Sequence, residues 1–163
     1  MAPGKPTSGR QPRRATTTRR RSTPPPPTSV HSGSRPPADP DEVRLEKGTG
    51  SAGRGNGPGG GFWHIYLGTT RAGAVYINVI DEPPLGTHAS IKIKVNQNCQ
   101  GRGIGRMAYR LASVASEHNT VYAHMRKSNL ASRKAAEYAG YVVDEDVSTP
   151  QLIMVWKRPG KHR

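Results

Sequence analysis

The sequence predicts an α+β domain on a mixed, mostly antiparallel sheet with one parallel pair, preceded by a disordered tail. Three observations predict it. Residues 62–95 read as successive β-branched and aromatic strands separated by turns. After a glycine-rich bend the apolar spacing changes from alternation to helical recurrence. Ten of the 15 prolines lie before Asp41, with eight Lys and Arg and no acid in residues 1–38. Such a segment buries too little apolar surface to offset its chain entropy, so residues 1–40 are assigned to the tail and residues 41–163 to the folded domain.

The elements follow in order. Glu42 to Lys47 alternates as a short strand, and residues 48–61 are glycine-heavy and break it. They read as a flexible linker or as a mobile loop beside a site. Phe62 to Leu67 and Ala74 to Ile80 are strands around a Gly68-Thr69-Thr70 turn, and Asp81 to Gly86 is a proline-rich turn. His88 to Val95 is a third strand, with Ile91, Ile93 and Val95 on one face and Lys92 and Lys94 on the other. Ile104, Met107, Ala108, Leu111, Val114 and Ala115 recur at helical spacing, with Asn119 as the expected C-terminal cap. Val121 to Met125 is a strand, and strand–helix–strand implies a right-handed parallel crossover. Asn129 precedes a short helix from about Ala131 to Ala139 that Gly140 ends, and Tyr141–Val143 and Leu152–Trp156 form a closing hairpin. Trp63, Trp156, Tyr76 and Met154 are expected to fill the core.

Charge narrows the partners. The chain carries a formal +14, and the part from Phe62 onward holds 14 Lys and Arg against 7 Asp and Glu. Anionic partners fit: a phosphorylated cofactor, an acidic protein surface, or nucleic acid contacted through the basic tail. Cys99 is the sole cysteine, which excludes an internal disulfide and fits a reducing, cytoplasmic setting. No apolar run reaches membrane-spanning length, and no apolar segment follows the N-terminal arginines as a secretion signal would require. No metal site is expected.

Gln100-Gly101-Arg102-Gly103-Ile104-Gly105 is the most informative segment. A glycine-rich turn opening a helix presents unpaired N–H groups and the positive end of the helix dipole, an anion site whose usual guest is phosphate. A nucleoside-triphosphate loop needs Lys-Ser or Lys-Thr after the glycines, whereas Arg106-Met107 follow here. A dinucleotide fingerprint forced onto Gly103, Gly105 and Ala108 lacks the tight strand-to-helix turn. It also has Arg126 and Lys127 where an acid should hold the ribose, and too little chain follows for a doubly wound sheet.

The run from Val95 to Gly105 closely resembles the acyl-CoA signature of the GCN5-related N-acetyltransferases (GNAT), a [Gln/Arg]-x-x-Gly-x-[Gly/Ala] loop between their fourth strand and third helix. Asn129-Leu130-Ala131-Ser132, then Ala136-Glu137 and Gly140-Tyr141, resembles the family's Asn-x-Ala-Ser…Gly-[Phe/Tyr] segment, especially in its ribosomal-protein branch. The resemblance covers about residues 62–163, with Val43 to Lys47 as a candidate first strand. It departs where the family has two helices between its first two strands, for only residues 48–61 fill that interval. The acceptor site is therefore expected to be open, loop-built or completed by a partner.

The resemblance implies a sheet splayed around the cofactor, and direct transfer of an acetyl group from acetyl-CoA to a primary amine of a protein or small molecule. Backbone N–H groups from Gln100 to Arg106, through Gly101, Gly103, Ile104 and Gly105, would cradle the pyrophosphate, with Arg102 and Arg106 adding charge. Ile93 and Val95 would pair with the pantetheine arm, the Val95 N–H serving as oxyanion donor. Asn129 and Ser132 would face the same arm. The amine, with a pKa of roughly 10, needs a base, for which His88, His124 and Glu82 are candidates. A tyrosine often protonates the leaving thiolate in this family; Ala136 occupies that position, Tyr138 is assigned to packing, and Ser132 is the candidate acid. The rival function is a non-catalytic acyl-CoA-binding module whose basic tail recruits nucleic acid or a protein partner. The oligomeric state is not indicated.

Overall fold

The computed structural model describes Gly4 and residues 35–160. The tail assigned to residues 1–40 therefore lies outside the described residues, apart from Gly4 and its last six positions.

Seven strands form one sheet: β1 (Val43–Lys47), β2 (Gly61–Leu67), β3 (Thr70–Glu82), β4 (Gly86–Val95), β5 (Thr120–Met125), β6 (Val142–Val143) and β7 (Leu152–Lys157). Among the described residues two α-helices accompany them, α1 (Ile104–Ala115) and α2 (Leu130–Tyr138). The sheet order is β1-β2-β3-β4-β5-β7-β6, and β4–β5 is its one parallel pair. The α+β class and mixed sheet match the expectation. The strand after the meander and the closing hairpin also fall where the spacing placed them.

The core lies between α1 and one face of the sheet. Ile65, Val75, Ile77, Ile91, Val121, Ala123 and Met154 alternate inward and meet Ile104, Ala108 and Ala112 of α1. Alternation at period two on the strands and recurrence every four residues on the helix bring these side chains into one layer. The buried stripe of α1 is Ile104, Ala108, Tyr109, Ala112 and Ser113, turned from the one that apolarity alone suggests: Val114 is 55% exposed. Tyr76 also departs from expectation. It stands on the opposite sheet face, half-buried and stacked on Phe62 at 6.4 Å between centroids, because it occupies the out-of-phase position between Val75 and Ile77.

The helix end differs as well. α1 stops at Ala115, ahead of Asn119, because Ser116 turns to extended backbone and caps it, and Arg158 brings a cation to its last carbonyls. The guanidinium donates to Val114 O at 3.3 Å and His118 O at 3.1 Å, satisfying orphan acceptors at the negative end of the helix dipole. A residue beyond β7 thus does what Asn119 was expected to do.

Residues 35–40, assigned by composition to the tail, lie against the bend before α1: Ala38 is buried, and its N–H donates to Arg102 O at 2.8 Å.

Gly73 lies opposite Val95 in the β3–β4 ladder, where a Cβ would collide with the Lys94 carbonyl oxygen. Gly73→Ala therefore overpacks this contact and destabilises the domain by about 1–3 kcal/mol, read as a lower urea midpoint at unchanged slope.

Candidate active site

The site begins where two strands part. β4 and β5 pair only at Ser90↔Tyr122 and Ile91↔Ala123, although both strands continue beyond. On its other side β4 is bound to β3, and the Asn96 N–H donates to Ala72 O at 2.7 Å. Antiparallel ladders exchange bonds at every second residue, so Lys94 and Lys92 face β3 while the amides of Ile93 and Val95 point away, into the gap. The Val95 carbonyl accepts from the Gln100 side chain at 3.1 Å, leaving the Val95 N–H aimed into the opening.

The bend then turns on glycines. Gly101 and Gly103 have φ of +77° and +78°, conformations open to glycine and strained for other residues. Gly103 is the N-cap of α1 and brings no side chain to cap it. Among the described residues, none of the amides of Gly101 through Arg106 donates to a protein acceptor. Six consecutive peptide N–H groups without partners, at the positive end of a helix, form a concentrated donor set. Arg106 adds to it: its Nε is buried without a partner, and its guanidinium lies over the Tyr138 ring, 4.5 Å from the centroid.

These groups line a single cleft of about 740 Å³. Ile93, Val95, Gln100, Gly101, Gly103, Ile104, Gly105, Arg106, Asn129 and Ser132, each a candidate from the sequence, all line it. Arg102 does not; its Nε donates to Pro36 O at 2.9 Å. Tyr138, assigned to packing, is instead 53% exposed and lines the cleft beneath Arg106. Cys99 reaches the cleft wall but is buried. The opening is thus lined by peptide donors at one end and by a strand edge at the other. It suits an extended phosphorylated molecule whose arm can add to β4 as a strand would.

On α2, the Asn129 side chain caps the helix by accepting from the Ser132 N–H at 3.1 Å. Ser132 Oγ lies 2.8 Å from the Tyr109 hydroxyl, and both line the cleft. Burial raises the Tyr109 phenol above its ordinary value, partly offset by the bond to Ser132. The phenol therefore keeps its proton, and either hydroxyl of the pair can donate to the other. Behind this pair, Tyr141 bonds Ser113 and is also raised by burial. Tyr109 is absent from the sequence candidates. Its signal is a tyrosine and a serine, Tyr109 and Ser113, four apart on a stripe otherwise filled by Ile104, Ala108 and Ala112. The family position, Ala136, is fully buried.

The two histidine candidates stand on the sheet face opposite α1. His88 Nδ1 lies 2.7 Å from Gly86 O, and its Nε2 lies 2.9 Å from His124 Nε2. A carbonyl only accepts, so His88 carries its proton on Nδ1 and presents a lone pair at Nε2. His124 then donates from Nε2 and holds its own lone pair at Nδ1. His124 is the first β5 residue past the split from β4. Burial lowers its pKa first, the neighbouring His88 ring and the Lys92 ammonium lower it further, and Glu82 and Gln151 pull the other way. Glu82 thus acts near His124 as a modulating charge. Among the described residues no group of three or more His, Cys, Asp or Glu is placed to hold a metal ion, and no helix is long and apolar enough to cross a membrane.

Residues 24–141 match the family model described as the acetyltransferase (GNAT) family. No curated protein matches the sequence. Among solved structures the chain is similar to the GNAT domain of S. lividans PAT, at 18% identity and a TM-score of 0.51 over 61% of each chain. It is similar to an acetyltransferase from Agrobacterium tumefaciens str. C58 at 26% identity and a TM-score of 0.50, over 61% of this chain and 62% of that one. It is also similar to aminoglycoside acetyltransferase AAC(6')-Ib in complex with coenzyme A and kanamycin, at 20% identity and a TM-score of 0.53, over 61% and 67%. The matched part thus spans 61–67% of the length of these structures.

The Tyr109 phenol titrates above about 10, and Ser132→Ala moves it higher still because the bond that favours the phenolate is gone. Carbon NMR of labelled tyrosine measures both.

Proposed function

The chain belongs to the GNAT acetyltransferase family, and from that premise we propose that it transfers an acetyl group from acetyl-CoA to a primary amine of a protein or small molecule by direct attack. The observation that carries the reading is the row of unpartnered amides from Gly101 to Arg106, all but Arg102 lining the cleft, with the orphaned Arg106 Nε beside it. A buried donor without an acceptor, as Arg106 Nε is, is costly in a folded protein, and a diphosphate would satisfy it together with the open loop amides. Acetyl-CoA, when bound, supplies a thioester whose carbonyl is open to an amine.

Each remaining role falls to this chain. The amides of Gly101 to Arg106 would hold the pyrophosphate, the Gln100 amide being bonded to Gln97 O, with Arg106 giving the charged contact. Ile93 and Val95 would hold the pantetheine arm along the open edge of β4, and the Val95 N–H would stabilise negative charge on the carbonyl oxygen. Asn129 would steady the arm from α2. On the far face, His124 Nδ1 would take the proton the amine must lose, with His88 fixing the tautomer. As the C–S bond breaks and the C–N bond forms, Ser132 would donate to the sulfur, backed by Tyr109. The transfer would thus run through the gap between β4 and β5, with the cofactor on one face and the base on the other.

A binding-only reading draws on one observation: residues 48–61 carry no helix where the family has two. Steady thiol release with an amine panel, above the rate of hydrolysis, rejects it. The domain assignment, a tail over 1–40 and an acetyltransferase domain over 41–163, is part of this proposal, as is nucleic-acid contact through the tail.

Two outcomes test the reading. Gly103→Asp abolishes acetyl-CoA binding in isothermal titration, because it forces a side chain and a negative charge into the donor set; equal binding by both proteins removes the phosphate-loop claim. His124 must be neutral to act, and its pKa is lowered, so activity falls only as pH drops below the ordinary histidine value of about 6.5. His124→Gln removes that acid limb and lowers kcat by about 10²–10⁴-fold, measured by thiol release across pH.

A further inference from the structure

Resting on the acetyl-CoA reading, we propose that residues 35–38 belong to the anion site, with Arg35 a positioning residue that aims the loop amides at the phosphates. A trans peptide holds its C=O and its N–H on opposite sides of one plane, so whatever fixes the carbonyl fixes the amide. The Gln100 carbonyl shares its plane with the Gly101 N–H, and the Arg102 carbonyl shares its plane with the Gly103 N–H. Both carbonyls are held by the same short strap. Arg35 Nη1 donates to Gln100 O at 3.3 Å and to Gln97 O at 2.7 Å, and the Ala38 N–H donates to Arg102 O at 2.8 Å. With the carbonyls tied to the strap, the Gly101 and Gly103 amides face the other way, and both glycines line the cleft.

The loop needs such an anchor. Glycine crosses between backbone regions with little steric hindrance, so peptide planes beside Gly101 and Gly103 can turn over unless something outside the loop holds them. Nothing inside does so, since Gly103 makes no side-chain cap. The strap is itself held from both directions: Arg102 Nε donates back to Pro36 O at 2.9 Å, and Ala38 is buried. The contacts span 62 to 66 positions of sequence. Arg35 acts on the carbonyl side of the bend and is absent from the cleft lining, so its effect on the ligand passes through the peptide planes.

The test uses the full chain and CoA as probe. Arg35→Ala weakens CoA binding roughly ten-fold, the loss expected for a charge-assisted hydrogen bond. It raises KM for acetyl-CoA far more than it changes kcat, and leaves the acceptor KM unchanged. In the ligand-free variant, NMR relaxation dispersion appears at the Gly101 and Gly103 amides, reporting planes that now turn over on the microsecond-to-millisecond scale. Ala38→Pro removes the second donor without altering charge and gives the same pattern. Binding within about two-fold of wild type in both variants overturns the proposal. So does weaker binding by Arg35→Ala alone with quiet glycine amides, which marks a simple charge effect. Failure of the wild-type chain to bind CoA is a separate result: it overturns the acetyl-CoA reading and the strap's role with it.

Discussion

A sheet that stops pairing leaves backbone groups with nothing to bond, and the rest of this site is arranged around that constraint. β4 and β5 share two residue pairs and then separate. From that point the open edge of β4 and the bend beyond it offer donor after donor without a protein acceptor. Stability alone disfavours such an arrangement. The bend is kept in shape by contacts on its carbonyl side, from Arg35 and Ala38, and by the burial of Ile104 where α1 enters the core. The donors stay exposed because their partner peptide oxygens are occupied elsewhere.

The split also sets two polar clusters on opposite faces of the sheet. The donor-lined cleft sits where α1 and α2 meet the edge of β4. The histidine pair sits on the bare face, beside Lys92 and Tyr122. The two sides have different electrostatics. Near the bend, helix dipole and guanidinium favour an anion. Around His124, partial burial and neighbouring positive charge favour the neutral ring.

Local patterns in the sequence were enough to place the strands and both helices, and together with the family resemblance they named ten of the 16 residues that line the cleft. Alternation reports which way a strand side chain points, and a glycine-rich bend before a helix reports donors without partners. Contacts between distant segments were not legible. The Arg158 cap on α1, the Tyr109–Ser132 bond and the His88–His124 pair each join residues 23 to 44 positions apart. The Arg35 strap reaches further still, from a segment whose composition reads as tail. Tyr76 shows the limit of reasoning from residue type: its size suggested the core, but its phase along β3 put it on the other face. Arg102 shows the same limit for charge, since proximity in sequence to the bend did not bring it into the cleft.

The margins of the sheet have a consequence of their own. At one end β1 is five residues long and carries Arg44, Glu46 and Lys47 outward, with Arg44 and Glu46 joined at 3.1 Å. At the other, β6 is only two residues long. Exposed strand borders invite intermolecular pairing when they are long, flat and apolar. One border here is charged and the other is too brief to template a neighbour. The molecule therefore keeps an unpaired seam at its centre while guarding its outer borders against accidental polymerisation.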